Sequence, residues 1–322
     1  MTTASAPGKV ILFGEHAVVS GVPALGSAID LRATVSVEDL PGRVEIDASN
    51  LRLMVTGFTV DPLAECIHTV GSSRDALLAT RYISAVLREL RAGDLRVSVE
   101  SRIPPAAGLG SSAAIVVATL AALNEHLGLK MSREEIGSES YRIEKLVQQG
   151  LGSPMDTALS TFGGYQLVSD KIQARKLPEL RLVVGYTEQS HDTRTEVAKV
   201  QNLRQSYPDV VEPIFQAIGA ISKRALESLE EGRLKELGSL MNINHGLLEA
   251  LGVGTRELSE LVYAARGAGG ALGAKLTGAG GGGCMIALPP EGGEAEIATA
   301  IRQARGRTFA VKTGCEGVRL EG

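Results

Sequence analysis

Residues 113–123, AAIVVATLAAL, are apolar at every position but Thr119. A helix with no polar face is a buried helix, and this run is too short to cross a bilayer. The rest of the chain has to cover it. A length of 322 residues suffices for that, as one large domain or two ordinary ones. The apolar share of 44% and charged share of 22% are those of a soluble globular protein.

Charge and composition exclude several function classes. The net charge is −4 and no block of Lys and Arg appears, so the basic footprint of a nucleic-acid binder is missing. Trp is absent and aromatics make up 3%, which leaves little for stacking on bases. The first residues, MTTASAPGKVILFGEH, carry no basic segment ahead of their apolar run, unlike a secretory signal. The 3 cysteines, Cys66, Cys284 and Cys315, are widely spaced and read as free thiols in a reducing compartment. The expectation is a cytoplasmic protein with no membrane partner.

Periodicity places the elements. KVILFG (9–14), ALGSAIDLRATVSVED, RVEIDAS and LRVSVES (95–101) read as strands. Residues 76–90 have apolar positions at helical spacing. Residues 111–126 form the buried helix. MSREEIGSESYRIEKLVQQ (131–149) opens with Ser132 followed three residues later by Glu135, the capping-box pattern. GLGSPMDTALS is a loop leading to a short helix, and YQLVS returns to strand. From 193 to 268 the pattern is helical, with breaks near Pro208, Gly232 and 252–255. AKLT and CMIAL then read as strands on either side of a glycine run, followed by a helix near 292–304 and terminal strands. A composition shift puts a domain boundary near 170, giving regions 1–170 and 171–322.

Two glycine-rich loops point to an anionic ligand. Five of the six residues 278–283 are glycine, and Gly278, Gly280 and Gly283 satisfy G-x-G-x-x-G. A dinucleotide fingerprint requires a helix after the glycines, but CMIAL is a strand. The run fits either a loop whose N–H groups cradle an anion or a hairpin that packs closely. The second loop, GLGSSA (108–113), does open a helix. Free N–H groups and the positive dipole end there stabilise an anion. Ser111 and Ser112 at that start can cap the helix or bind a metal ion. No Walker A sequence is present.

PGKVILFGEHAVV, PPAAGLGSSAA and KLTGAGGGGC stand in this order, with SPMD between the last two. Together they resemble the signature motifs of the GHMP superfamily, the kinases of galactose, homoserine, mevalonate and phosphomevalonate. The resemblance covers nearly the whole chain. Within the superfamily, GEHAVV and NHGLLEALGV (244–253) are similar to the mevalonate kinase branch.

The resemblance implies an α+β, two-domain GHMP kinase fold. Its N-terminal domain would be like ribosomal protein S5 domain 2, and its C-terminal domain ferredoxin-like and helix-rich. It implies transfer of the ATP γ-phosphate to the C5 hydroxyl of mevalonate with Mg²⁺ as cofactor, and a homodimer as a possible assembly. By the motifs, Asp156 resembles the catalytic base and Lys9 the lysine paired with it. Ser112 and Glu144 resemble the Mg²⁺ ligands. Ser101, Pro105, Ala106, Ala107, Gly108, Leu109, Gly110, Ser111 and Ser112 resemble the nucleotide contacts. Glu15, His16, Thr193, Arg194, Thr277, Gly278 and Ala279 resemble substrate-side residues. One departure stands out: the interval from Glu144 to Asp156 is one residue longer than the family spacing. The extra residue is absorbed in the QQGLG turn, or the metal ligation differs. Two alternatives stay open, another kinase of the superfamily and a catalytically silent sensor on the same fold.

Overall fold

The computed structural model describes residues 1–48, 58–60, 67–69, 74–104, 107–150, 152–189 and 192–322. The chain opens with β1 (Thr2–Phe13), a short 3-10 turn at Ala17–Ser20, and β2 (Ala24–Asp39). β3 (Glu45–Asp47), β4 (Phe58–Val60), β5 (Ile67–Thr69), α1 (Arg74–Leu90) and β6 (Leu95–Ser101) follow. Next come α2 (Ser111–His126), α3 (Arg133–Val147), α4 (Pro154–Phe162), β7 (Tyr165–Val168) and β8 (Ile172–Arg175). These strands build one sheet in the order β1-β2-β6-β3-β4-β5, with the β7–β8 hairpin attached to β2.

The apolar run is the helix it was expected to be. Every residue of α2 from Ala113 to Leu123 is buried. The helix lies against β1 and β2 on one side and meets α1, α3 and α4 on the others. α3 begins at the expected capping box, with Ser132 and Glu135 bonded reciprocally.

β1 is longer than the 9–14 read from its apolar run. Its first half, TTASA, has small and polar residues, yet it lies between β2 and the C-terminal strand β13 (Arg319–Glu321) and pairs with both. The β1–β2 pairing jumps between Pro7 and Gly8, from Arg32 to Ile29. Pro7 has no N–H for the ladder, and a bulge at such a point re-aims the residues that follow. Lys9 comes next.

The second half folds over a four-stranded antiparallel sheet. β9 (Arg181–Tyr186) precedes α5 (Thr193–Ser206), α6 (Pro208–Glu230), α7 (Leu234–Ala250) and α8 (Arg256–Arg266). β10 (Gly273–Thr277), β11 (Cys284–Leu288), α9 (Glu294–Gln303) and β12 (Arg307–Lys312) complete it, in the order β10-β11-β9-β12. The helix breaks fall where Pro208, Gly232 and residues 252–255 put them. Position 170 lies between β7 and β8, which pair with each other, so the first sheet takes in Ile172–Arg175. It also takes in β13, because the chain end returns to β1. Among the described residues no helix is long and apolar enough to cross a membrane.

Candidate active site

Lys9 stands on β1 just after the bulge and is 5% exposed. Its backbone N–H donates to Leu109 O at 2.9 Å, which lays the GLGSS loop across the strand. A Cβ on Gly8 would stand 2.8 Å from that same carbonyl oxygen, so only glycine lets the two backbones meet here. The Lys9 ammonium then lies 3.1 Å from Asp156 Oδ2.

Asp156 is fixed from its own side by the start of α4. Ser153 is the N-cap of that helix and accepts from Asp156 N at 3.3 Å. The Ser153 hydroxyl in turn donates to Asp156 Oδ1 at 2.8 Å. Capping of α4 thus falls to Ser153, and Asp156 Oδ2 is left for Lys9.

The start of α2 sets aside one of the two readings of its serines, capping. The N-cap is Gly110, in the left-handed region at φ 75, and no side chain caps the helix. The Ser112 hydroxyl donates instead to Glu144 Oε1 at 2.8 Å. Gln148 Nε2 donates to the same oxygen at 3.1 Å, and Thr157 Oγ1 to Oε2 at 3.2 Å. Glu144 is 1% exposed. Burial first, and the charge of Asp156 second, push its carboxyl up to about 7 against the pull of Ser112 and Thr157. A buried carboxylate beside a second one is an arrangement that a cation would relieve.

Between Glu144 and Asp156 the chain leaves α3 and turns back into α4. Gln149 and Gly150 both have positive φ, 53 and 101, and reverse the chain after α3. A Cβ on Gly152 would sit 2.9 Å from Lys145 N, so the returning chain passes tight against the helix it has left. The contact of Thr157 with Glu144 holds α3 and α4 together at this point.

The third glycine block closes the site from the other sheet. Its residues join β10 to β11 as a hairpin, with Gly278, Gly280, Gly281, Gly282 and Gly283 all at positive φ. A strand follows the glycines, as the sequence required. Gly281 N donates to Val253 O at 2.8 Å and Gly283 N to Gln189 O at 3.1 Å, so these two N–H groups are already taken. A Cβ on Gly278 would come within 3.8 Å of Gly108 O, which places the two glycine-rich loops side by side. Thr277 Oγ1 accepts from Ile11 N at 3.1 Å and donates to Ile11 O at 2.8 Å, tying β10 to β1 two residues beyond Lys9.

Two family models match these same regions. "GHMP kinases N terminal domain" matches residues 78–164 and "GHMP kinases C terminal" matches residues 225–307. The chain belongs to the GHMP kinases. It is 46% identical to the mevalonate kinase of Thermococcus gammatolerans, over 99% of this chain and 98% of that one. The Pyrococcus horikoshii mevalonate kinase is 45% identical, over 99% and 97%. Among solved structures it is similar to the Methanococcus jannaschii mevalonate kinase, with TM-score 0.82 and 28% identity over 97% and 98% of the two chains. It is also similar to the L. major mevalonate kinase in complex with R-mevalonate, with TM-score 0.82 and 26% identity over 97% and 96%. The two-domain GHMP kinase fold expected from the motifs is therefore the fold of this chain.

Against that background the remaining motif residues of this GHMP kinase divide into groups. Ala107 and Leu109 are buried, and Gly108 and Gly110 hold the loop in left-handed turns. Pro105 and Ala106 lie outside the described residues. Ser101 closes a local turn, exchanging hydrogen bonds with Ile103 N and O at 3.1 and 3.2 Å. Thr193 and Arg194 are exposed at the start of α5, and Arg194 reaches across to Gln148 O at 2.9 Å.

His16 takes φ 60, rare for a residue with a Cβ, and its Nε2–H donates to Ala279 O at 2.8 Å. Burial lowers its imidazole below the ordinary value. Glu15 has both oxygens engaged within the protein, one by Lys275 and the other by Asn244 Nδ2 at 3.2 Å.

Sequence reasoning passed over Lys275, Asn244, Gln148 and Thr157. Lys275 did leave a signal. A lysine inside AKLT, a strand with no polar face to carry it, has to find a buried counter-charge.

Proposed function

We propose that this GHMP kinase is a mevalonate kinase, passing the γ-phosphate of ATP to the C5 hydroxyl of mevalonate to give 5-phosphomevalonate and ADP. The observation that carries the reading is the Lys9–Asp156 contact at 3.1 Å, set next to the Ser112–Glu144 contact at 2.8 Å. An acid–base pair and a cation-type pair thus stand together where α2 and α4 begin. The curated relatives named mevalonate kinase, alike over almost their whole length, support the choice of acceptor.

Phosphoryl transfer asks the protein mainly for positioning and for charge stabilisation. In our reading the phosphates of ATP lie against the loop Ala107–Ser112, where the uncapped N–H groups of α2 and its dipole meet them. The acceptor hydroxyl lies between Lys9 and Asp156. Asp156 Oδ2 orients the hydroxyl and takes its proton as the O–P bond forms. Lys9 stabilises the negative charge gathering on the acceptor oxygen and on the moving phosphoryl group. In this reading, charge stabilisation by Lys9 contributes more than proton removal by Asp156.

Ser112 and Glu144 suit Mg²⁺, a cation held by one or two protein oxygens together with substrate phosphates. Among the described residues no cluster of three or more His, Cys, Asp or Glu offers an all-protein site. Bound there, Mg²⁺ would neutralise phosphate charge. Thr193, Arg194, His16 and the Thr277–Ala279 segment form the acceptor side in this reading, with Arg194 nearest to a role with the mevalonate carboxylate. Region 1–170 would hold the nucleotide, and the acceptor side would draw on His16 together with region 171–322.

ADP release, followed with Mg·ATP and a panel of mevalonate, 5-phosphomevalonate, galactose and homoserine, tests the proposal. Turnover confined to mevalonate is the expected result. Turnover on another member of the panel, with none on mevalonate, would overturn it.

A further inference from the structure

Lys275 is a fully buried charge outside the reaction centre. Every residue of β10, Gly273–Thr277, is buried. Its ammonium meets the Glu15 carboxylate, with both side chains at 0% exposure, and donates to Leu276 O at 2.7 Å. The ammonium also lies over the ring of Phe13, 6.0 Å from its centre. The second oxygen of Glu15 is held by Asn244 from α7. One carboxylate from the loop after β1 is thus gripped by two elements of the second half of the chain.

The pair is one of three ties between the same two segments. Thr277 holds both backbone groups of Ile11, Lys275 holds Glu15, and Ala279 O holds His16. All three fix how β10 and its glycine run lie along β1 and the GEH loop. The middle tie differs in kind. Apolar residues of similar volume would often stabilise a core as well as a buried ion pair does, so stability alone gives no reason for a charge here. What a two-donor grip on a carboxylate adds is direction. His16, the residue after Glu15, sits at φ 60 with its imidazole on Ala279 O. A backbone of that kind persists where its surroundings fix it.

We propose that Lys275 is a positioning residue for the acceptor side of the site. Through Glu15 it sets the loop that presents His16, without touching either substrate. The inference rests on the mevalonate kinase reading. It also extends it, because it assigns acceptor affinity to a side chain buried behind the site.

The test uses the whole enzyme in two backgrounds, wild type and His16→Asn. Lys275→Met alone strands the Glu15 charge in the core and can fail to fold. The informative variant is therefore Lys275→Met with Glu15→Gln, in which no buried charge remains and Asn244 keeps an acceptor. With wild-type turnover on mevalonate established first, this double variant should fold with a thermal midpoint near wild type. Its KM for mevalonate should rise about ten-fold or more, as displaced positioning groups cause, while its KM for ATP stays within about two-fold. In a His16→Asn background the same double change should add little, because residues acting through one another are not additive. An unchanged KM for mevalonate would overturn the proposal. So would equal losses for both substrates, or full additivity with His16→Asn. A wild-type enzyme inactive on mevalonate would refute the functional reading instead, and that is seen before any variant is made.

Discussion

Glu144 is where the geometry makes its sharpest demand on solution behaviour. Its carboxyl is raised from an ordinary 4.5 to about 7, by burial first and by the Asp156 charge second. A raised carboxyl means that the folded protein holds this proton more tightly than the unfolded chain. The stabilisation is therefore full below pH 4.5 and is lost as pH rises through about 7. Above that, the folded state bears a buried, repelled charge. At about 1.4 kcal/mol per pH unit, the gap between the two values amounts to roughly 3 kcal/mol.

Glu144→Gln keeps the shape and an oxygen for the Ser112 hydroxyl, but it cannot titrate. Urea unfolding of metal-free protein, wild type beside variant, from about pH 4.5 to 8 isolates the effect. The wild type should lose about 3 kcal/mol relative to Glu144→Gln across that range, and level off at the alkaline end. Asp156→Asn should shrink the loss, since it removes the second cause. Parallel curves for wild type and Glu144→Gln would refute the reasoning.

Three further outcomes follow from the contacts. Because a cation at Glu144 competes with the proton, Mg²⁺-dependent ATP affinity, measured by calorimetry, should weaken as pH falls below about 7. Gly280→Ala would put a Cβ 2.2 Å from Val253 O at φ 73, so unfolding experiments should show a loss of at least about 2 kcal/mol. Thr277→Val removes both hydrogen bonds to Ile11 and should cost about 1–3 kcal/mol by the same measurement, with an accompanying loss of turnover.

How much of this could be read beforehand depends on the range of the interactions. Helix limits were legible where local chemistry sets them. Ser132 and Glu135 start α3 through a bond three residues long, and Pro208, Gly232 and the 252–255 turn break the helical half. The apolar run 113–123 was legible because a helix without a polar face has one place to go. The strand status of Thr2–Ala6 was not, since β2 and the distant β13 impose it. Within the site, Lys9, Ser112, Glu144 and Asp156 were picked out by motif, and the structure brings them together as two pairs in contact. The identity of the N-cap at Ser153 and the release of Ser112 from capping needed the fold. The grip of Lys275 and Asn244 on Glu15 is the least legible part. It joins residues more than two hundred positions apart, and only the odd placement of a lysine in a buried strand hinted at it.

The central claim is that Lys9 and Asp156 together hand the ATP phosphoryl group to the C5 hydroxyl of mevalonate. Phosphorus NMR of the product, run for wild type and for Asp156→Asn under Mg·ATP, tests it most directly. The account predicts a single new phosphomonoester on C5 from the wild type, and a rate lower by about a hundred-fold or more in a variant that still folds and binds ATP. A phosphate on the 3-hydroxyl, or near-full turnover by folded Asp156→Asn, would contradict it.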